Sequence, residues 1–237
     1  KNKFDIIINL AAITDVDYCE KNKKHALKVN FNLCKNIYSF SKINNYDIFF
    51  INLSTDQFYN NFKENFENVN RIYNYYTKTK HLTENYMKNK NAVILRTNFF
   101  GKSLNQKKRK SFTDQIYDNL KINKYINMSD DILFNPVSIE TLCKIIFILM
   151  KKKTKGLFNV GSNGGLSKYK FAVNFATRLK LDKKLINKVK MKDINFIAKR
   201  SKDMRMQNKL FEKMFKYKFN SLKFEINKVS KSYDKKI

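Results

Sequence analysis

Along the first hundred residues, short apolar runs alternate with longer segments of helical period. Phe4-Asp5-Ile6-Ile7-Ile8-Asn9-Leu10 is rich in β-branched residues and predicts a strand buried on both faces. Ala26, Val29, Leu33, Ile37 and Phe40 then recur at helical spacing, which predicts a helix from about Lys23 to Ser41, broken by Asn44-Asn45. A second apolar run, Asp47 to Leu53, stops at Ser54-Thr55-Asp56. After an Asn-rich loop comes a helix through Tyr76 and Lys80 to about Lys88, and Ala92 to Arg96 gives a third strand. Strand, helix, strand, helix, strand is the βαβ rhythm of a parallel sheet, so the fold class is α/β with a Rossmann-like sheet.

The pattern changes from Ser111. Phe112, Ile116 and Leu120 mark a helix, Tyr125 to Met128 a short strand, Ile139 to Met150 an apolar helix, Gly156 to Gly161 a strand, and Tyr169 to Leu179 a helix; the basic tail from Lys183 reads as helical or irregular. We therefore expect a partial dinucleotide-binding domain over 1–110. Residues 111–237 would complete the sheet and add a smaller C-terminal substrate lobe.

Composition narrows the functional classes. With 237 residues, 43% of them hydrophobic, the chain can build a sizeable core. The longest apolar run, Ile145 to Met150, lies between lysines and is too short for a bilayer, so a cytoplasmic protein without a membrane partner is expected. The chain starts at Lys1 and shows no signal-peptide pattern. Its net charge of +29 invites nucleic acid. Yet the lysines are spread throughout, and the aromatics sit in apolar runs rather than between basic residues, so nucleic acid is not the expected partner. An anionic small molecule would profit from the same field. Cys19, Cys34 and Cys143 lack metal or redox spacing and read as free thiols, and His25 and His81 do not form a ligand pair, so no metal site is expected.

Candidate chemistry gathers where strands end. Tyr76 and Lys80 are four residues apart on one helix and can share a face. A neighbouring cation favours the phenolate, which brings a phenol that titrates near ~10 towards a working pH. Parallel sheets bind ligands beyond the carboxyl ends of their strands. Three such ends are Asn9 to Thr14, Ser54 to Asp56 and Arg96 to Gly101, and the Tyr76 helix lies between the second and third.

In this order, the motifs Asn9-Leu10-Ala11-Ala12, Ser54-Thr55-Asp56-Gln57 with Phe58-Tyr59, Tyr76-x-x-x-Lys80, Leu95-Arg96-Thr97, Phe134-Asn135-Pro136-Val137 and Gly156 to Ser162 resemble the extended short-chain dehydrogenase/reductases of nucleotide sugars. The dTDP-4-dehydrorhamnose reductases are the most similar of these. The resemblance implies NADPH- or NADH-dependent reduction of a nucleotide-activated 4-keto sugar in deoxysugar and polysaccharide biosynthesis, by a possible homodimer. Tyr76 would be the acid, Lys80 would hold the nicotinamide ribose, and Thr55 would bond the carbonyl oxygen. Ala12, Ile13, Thr14 and Phe99 would line the cofactor, while Thr55, Asp56 and Phe99 would meet the sugar. An epimerase or dehydratase, or a non-catalytic subunit on the same fold, are the alternatives.

Some residues admit plainer readings. Thr55 and Asp56 could simply close a strand, Asn30 either braces the active-site helix or is an ordinary polar residue, and Gly161 to Gly165 reads as a turn better than as a phosphate cradle. The family opens with a glycine-rich pyrophosphate turn, whereas the five glycines here all lie from Gly101 onward. Either the sequence is a fragment that lacks roughly the first 50 residues of the pattern, with Phe4 to Leu10 as an interior strand of the complete sheet, or the protein has lost cofactor binding; the intact Thr55, Tyr76 and Lys80 favour the fragment.

Overall fold

The computed structural model describes residues 4–62, 65–105 and 110–234. Its centre is a parallel sheet of four strands, β1 (Ile6–Asn9), β2 (Phe49–Leu53), β3 (Ala92–Thr97) and β4 (Gly156–Val160), hydrogen-bonded in that order. Ile8 pairs with Ile51, Ile51 with Val93, and Ile94 with Leu157, so the register aligns the carboxyl ends along one edge.

β2 and β3 are buried throughout, and alternate residues serve two cores. Phe49, Ile51, Leu53, Val93 and Leu95 meet Leu142, Ile145 and Leu149 of the Ile139–Lys152 helix. Phe50, Ala92 and Ile94 meet Cys34 and Tyr38 of the Leu33–Ile43 helix and Met87 of the Tyr75–Met87 helix. Burying each large side chain stabilises the sheet by about 1.5–3 kcal/mol, which explains why these strands read as continuous apolar runs.

β1 departs from expectation. It is half-buried rather than buried on both faces, because among the described residues it pairs only with β2 and forms the sheet's edge. Phe4 and Leu10, at its two ends, are exposed. A groove of about 360 Å³ lies beside it, lined by Phe4, Ile7, Ile37, Phe40 and Ile48.

A further core joins the helices Phe112–Lys121, Lys168–Arg178 and Leu222–Asp234 around Ile116, Phe134, Phe171, Phe175 and Ile226. The tail is more ordered than its sequence suggests. Ile186–Val189 is a strand parallel to Ile126–Ser129, with alternation too short and lysine-rich to stand out. The glycines after β4 form a turn: Gly164 and Gly165 take positive φ, and a Cβ on Gly161 would sit 2.7 Å from the Asn135 amide nitrogen.

Candidate active site

The Tyr75–Met87 helix starts where it does because Asn74 and Thr77 cap each other. The Thr77 amide donates to Asn74 Oδ1 at 2.9 Å and the Asn74 amide to Thr77 Oγ1 at 3.1 Å. The cap fixes Tyr76 in the first turn, buried among Val16, Cys19, Ala26 and Ala198. One turn on, Lys80 is buried and donates from Nζ to the Leu53 carbonyl at 2.5 Å. An ammonium has three donors, so this bond leaves capacity for a ligand. Burial pushes the Lys80 pKa down to about 8, against the opposing pull of Glu84 and Cys34, so Lys80 is cationic at neutral pH and close to titrating.

Beyond the end of β2, Thr55 and Asp56 are both buried. Thr55 Oγ1 accepts from the Gln57 amide at 3.2 Å, and Asp56 Oδ2 accepts from Asn98 Nδ2 at 2.8 Å. Asp56 thus links the loops after β2 and β3. Burial raises its pKa to about 6, with the Asn98 bond opposing. Phe99 follows β3 and is half exposed, in a short strand paired with Val137–Ser138.

The loop after β1 carries Ala12 and Ile13, half-buried, and Thr14, exposed. Asn30 holds it at both ends of one residue: its Oδ1 accepts from the Ile13 amide at 2.7 Å, and its Nδ2 donates to the Ile13 carbonyl at 3.1 Å. The same Nδ2 donates to Thr79 Oγ1 on the Tyr76 helix at 3.1 Å, and Thr83 Oγ1 donates to the Asn30 carbonyl at 2.8 Å. Asn30 is therefore a brace between loop and helix rather than an ordinary surface residue. A single wide π-turn, Lys28–Asn32, carries it there inside the expected helix. A further short helix, Val16–Lys21, precedes it; its Asp15 cap, which accepts from the Tyr18 amide at 2.9 Å, was a readable signal.

Further polar groups gather beside the loop after β2, and of these only Gln57 stands in a motif quoted above. Arg200 donates from Nη2 to Asp17 at 2.7 Å, while its Nη1 is buried without a hydrogen bond. Gln57 Oε1 and the Tyr73 hydroxyl are also buried and unpaired. Ser201 Oγ donates to the Gln57 carbonyl at 3.2 Å and Asn74 Nδ2 to the Lys199 carbonyl at 2.9 Å, so these residues border the loop after β2 and the start of the Tyr76 helix. Lys168, half-buried, feels both Arg200 and Asp56, and burial and the Arg200 cation lower its pKa. Unpaired donors, an unpaired acceptor and two cations suit an anionic ligand rich in hydroxyl groups. No group of metal-ligating side chains occurs among the described residues, and no helix among them is long and apolar enough to cross a membrane.

The profile of the RmlD substrate binding domain matches residues 1–235. The chain belongs to that family. It is similar to a dTDP-4-dehydrorhamnose reductase from Clostridium acetobutylicum (24% identity, TM-score 0.87, 98% of this chain and 81% of that one). It is also similar to the reductase from Bacillus anthracis in complex with NADP (22%, 0.86, 96% and 80%), and to a hypothetical dTDP-4-dehydrorhamnose reductase from Sulfolobus tokodaii (27%, 0.78, 92% and 76%). No curated protein matches the chain. These likenesses agree with the Rossmann-like α/β architecture described above.

Proposed function

We propose that the protein reduces the C4 carbonyl of a nucleotide-activated 4-keto sugar, as a dTDP-4-dehydrorhamnose reductase does. The observation that carries this reading is the buried Lys80 ammonium, one helical turn from Tyr76 at the end of β2, with bonding capacity to spare. A bound NADPH or NADH would supply the hydride. The residues here fit the nicotinamide-ribose end of such a cofactor: Lys80 would bond the ribose hydroxyls, and Ala12, Ile13 and Thr14 would let it approach the backbone.

Tyr76 donates its phenolic proton to the carbonyl oxygen as that oxygen gains charge. Thr55 donates a hydrogen bond to the same oxygen, and Lys80 stabilises the phenolate left behind. Phe99 covers the reacting face, and Asp56 orients the loops around the sugar. Lys168 and Arg200 face the phosphates, while Gln57 and Tyr73 take sugar hydroxyls, which would satisfy their unpaired atoms.

The test uses the full open reading frame that contains residues 1–237, mixed with a dTDP-4-keto-6-deoxy sugar and NADPH or NADH. We expect one cofactor to be oxidised per sugar reduced. Conversion of the sugar without net oxidation of cofactor would assign an epimerase or dehydratase instead, and tight binding without turnover a non-catalytic subunit.

A further inference from the structure

Behind the crevice lies a buried charge network that the proposed reaction does not use directly. Glu84 is on the Tyr76 helix one turn after Lys80, buried, and both of its oxygens are engaged. Oε1 accepts from Ser54 Oγ at 2.5 Å and from Arg96 Nε at 3.0 Å, and Oε2 accepts from Arg96 Nη2 at 2.7 Å. Arg96, near the end of β3, is among the most deeply buried large side chains. Its Nη1 donates to the Tyr59 hydroxyl at 2.9 Å and to the carbonyls of Glu67 and Val69 at 3.1 and 2.6 Å. Tyr59 in turn donates to Asn159 Oδ1 on β4 at 2.6 Å. One carboxylate and one guanidinium thus tie the helix of Tyr76 and Lys80 to the ends of β2 and β3, to β4 and to the loop that follows Thr55.

We infer that Glu84 and Arg96 are positioning residues for the reaction at Tyr76: their ion pair ties the helix of Tyr76 and Lys80 and the Ser54–Thr55 strand end into one rigid unit, with the Glu84 carboxylate one turn from Lys80. This rests on the reading of Thr55, Tyr76 and Lys80 given above. Thr55 is reached through its neighbour Ser54, whose hydroxyl ends on Glu84. Lys80 is reached through the helix and through space. The groups with charge or titratable protons around it are Glu84 and Tyr76 on its own helix, Cys34 on the Leu33–Ile43 helix, and Arg96 on β3 beyond Glu84. Glu84 is the larger of the two influences that oppose the desolvation of Lys80.

A buried ion pair can also serve stability alone, and the two roles separate experimentally. Replacing both charged partners by well-packed neutral side chains is often neutral for folding, whereas removing one leaves an uncompensated charge. We would prepare the full reading frame with Glu84→Gln, with Glu84→Gln together with Arg96→Met, and with Ser54→Ala. The readouts are urea stability, the pH profile of kcat, and the titration of Lys80 followed by lysine side-chain NMR, its signal assigned from Lys80→Arg. We expect Glu84→Gln to lower the Lys80 midpoint by about one pH unit or more and to move the alkaline limb of kcat down with it. Turnover near neutral pH should fall about tenfold. In the double variant, stability should return towards wild type and kcat should stay depressed, while the Lys80 midpoint should recover only in part, because the Arg96 cation is lost together with the nearer Glu84 anion. Ser54→Ala should lower kcat without moving that midpoint, since both charges remain.

A wild-type Lys80 midpoint and pH profile in the double variant would overturn the inference and leave the pair a structural one. Unchanged kcat in Ser54→Ala would remove the link to Thr55. If the wild-type protein turns over no keto sugar, the proposed function fails on its own account, and the Lys80 titration still decides whether Glu84 sets its charge.

Discussion

Two polar regions meet on the Tyr75–Met87 helix, and they are built to opposite rules. The network around Glu84 and Arg96 is closed: Glu84 accepts with both oxygens, and the Arg96 guanidinium donates to Glu84, Tyr59, Glu67 and Val69. The set of polar groups on the other side is incompletely paired. Lys80 makes a single bond, Asp56 is raised towards protonation, and Gln57, Tyr73 and Arg200 each keep a buried polar atom unpaired. A satisfied buried network rigidifies, whereas an unsatisfied one costs stability until a ligand completes it. The chain thus gives up folding free energy on the side where Lys80, Asp56 and Arg200 lie, the side where chemistry is proposed.

The comparison can be broken most forcefully at Arg96. Arg96→Ala strands a buried carboxylate and should cost about 3–5 kcal/mol in equilibrium urea unfolding; a loss within experimental error would mean that the network is not paired in solution. On the incompletely paired side the sign reverses. The Lys80 pKa falls from 10.5 to about 8 on folding, so its penalty is full below pH 8 and fades as pH rises towards 10.5. Lys80→Met should therefore be more stable near neutral pH by roughly 2–3 kcal/mol and should lose the rise in stability over that alkaline window. Asp56 mirrors this at the acidic end. Its pKa rises from 3.8 to about 6 on folding, so the wild type loses stability as pH climbs through that interval. Asp56→Asn should be more stable above pH 6 by about 2 kcal/mol and flat across the interval, as thermal or urea unfolding at several pH values would show. The smallest effect falls on Arg200, largely buried and paired with the partly exposed Asp17. Arg200→Gln should change stability by less than about 1 kcal/mol, yet weaken binding of a nucleoside diphosphate sugar about tenfold by calorimetry. Equal binding by the variant would remove the unpaired Nη1 from the substrate site.

How much of this was legible followed from how local the signals are. β2 and β3 announce themselves because both faces are buried, and the ordered motifs bring Thr55, Tyr76, Lys80 and Phe99 to one edge of the sheet. β1 was misread in burial, since an apolar run does not say whether a neighbour exists on its far side. The strand Ile186–Val189 was missed because its pairing with Ile126–Ser129 spans sixty residues of sequence and carries little apolar signal. Asn30 could be recognised as a brace only once the π-turn placed it against Ile13 and Thr79. Tyr73, Lys168 and Arg200 carry no spacing rule, because three separate segments supply them, whereas Gln57 was legible as the end of the Ser54-Thr55-Asp56-Gln57 motif. Glu84 lies four residues after Lys80, a helical spacing that was open to reading; its partners Ser54 and Arg96 come from two different strand ends.

In the proposed reaction Tyr76 gives the proton to the sugar carbonyl. The most direct test is Tyr76→Phe in the full reading frame, with turnover of the 4-keto nucleotide sugar followed by oxidation of NADPH or NADH and sugar binding followed by calorimetry. Turnover should fall about 10²–10⁴-fold while binding is retained, the range expected for loss of a positioned acid. Near-normal turnover in the variant would contradict that role of Tyr76.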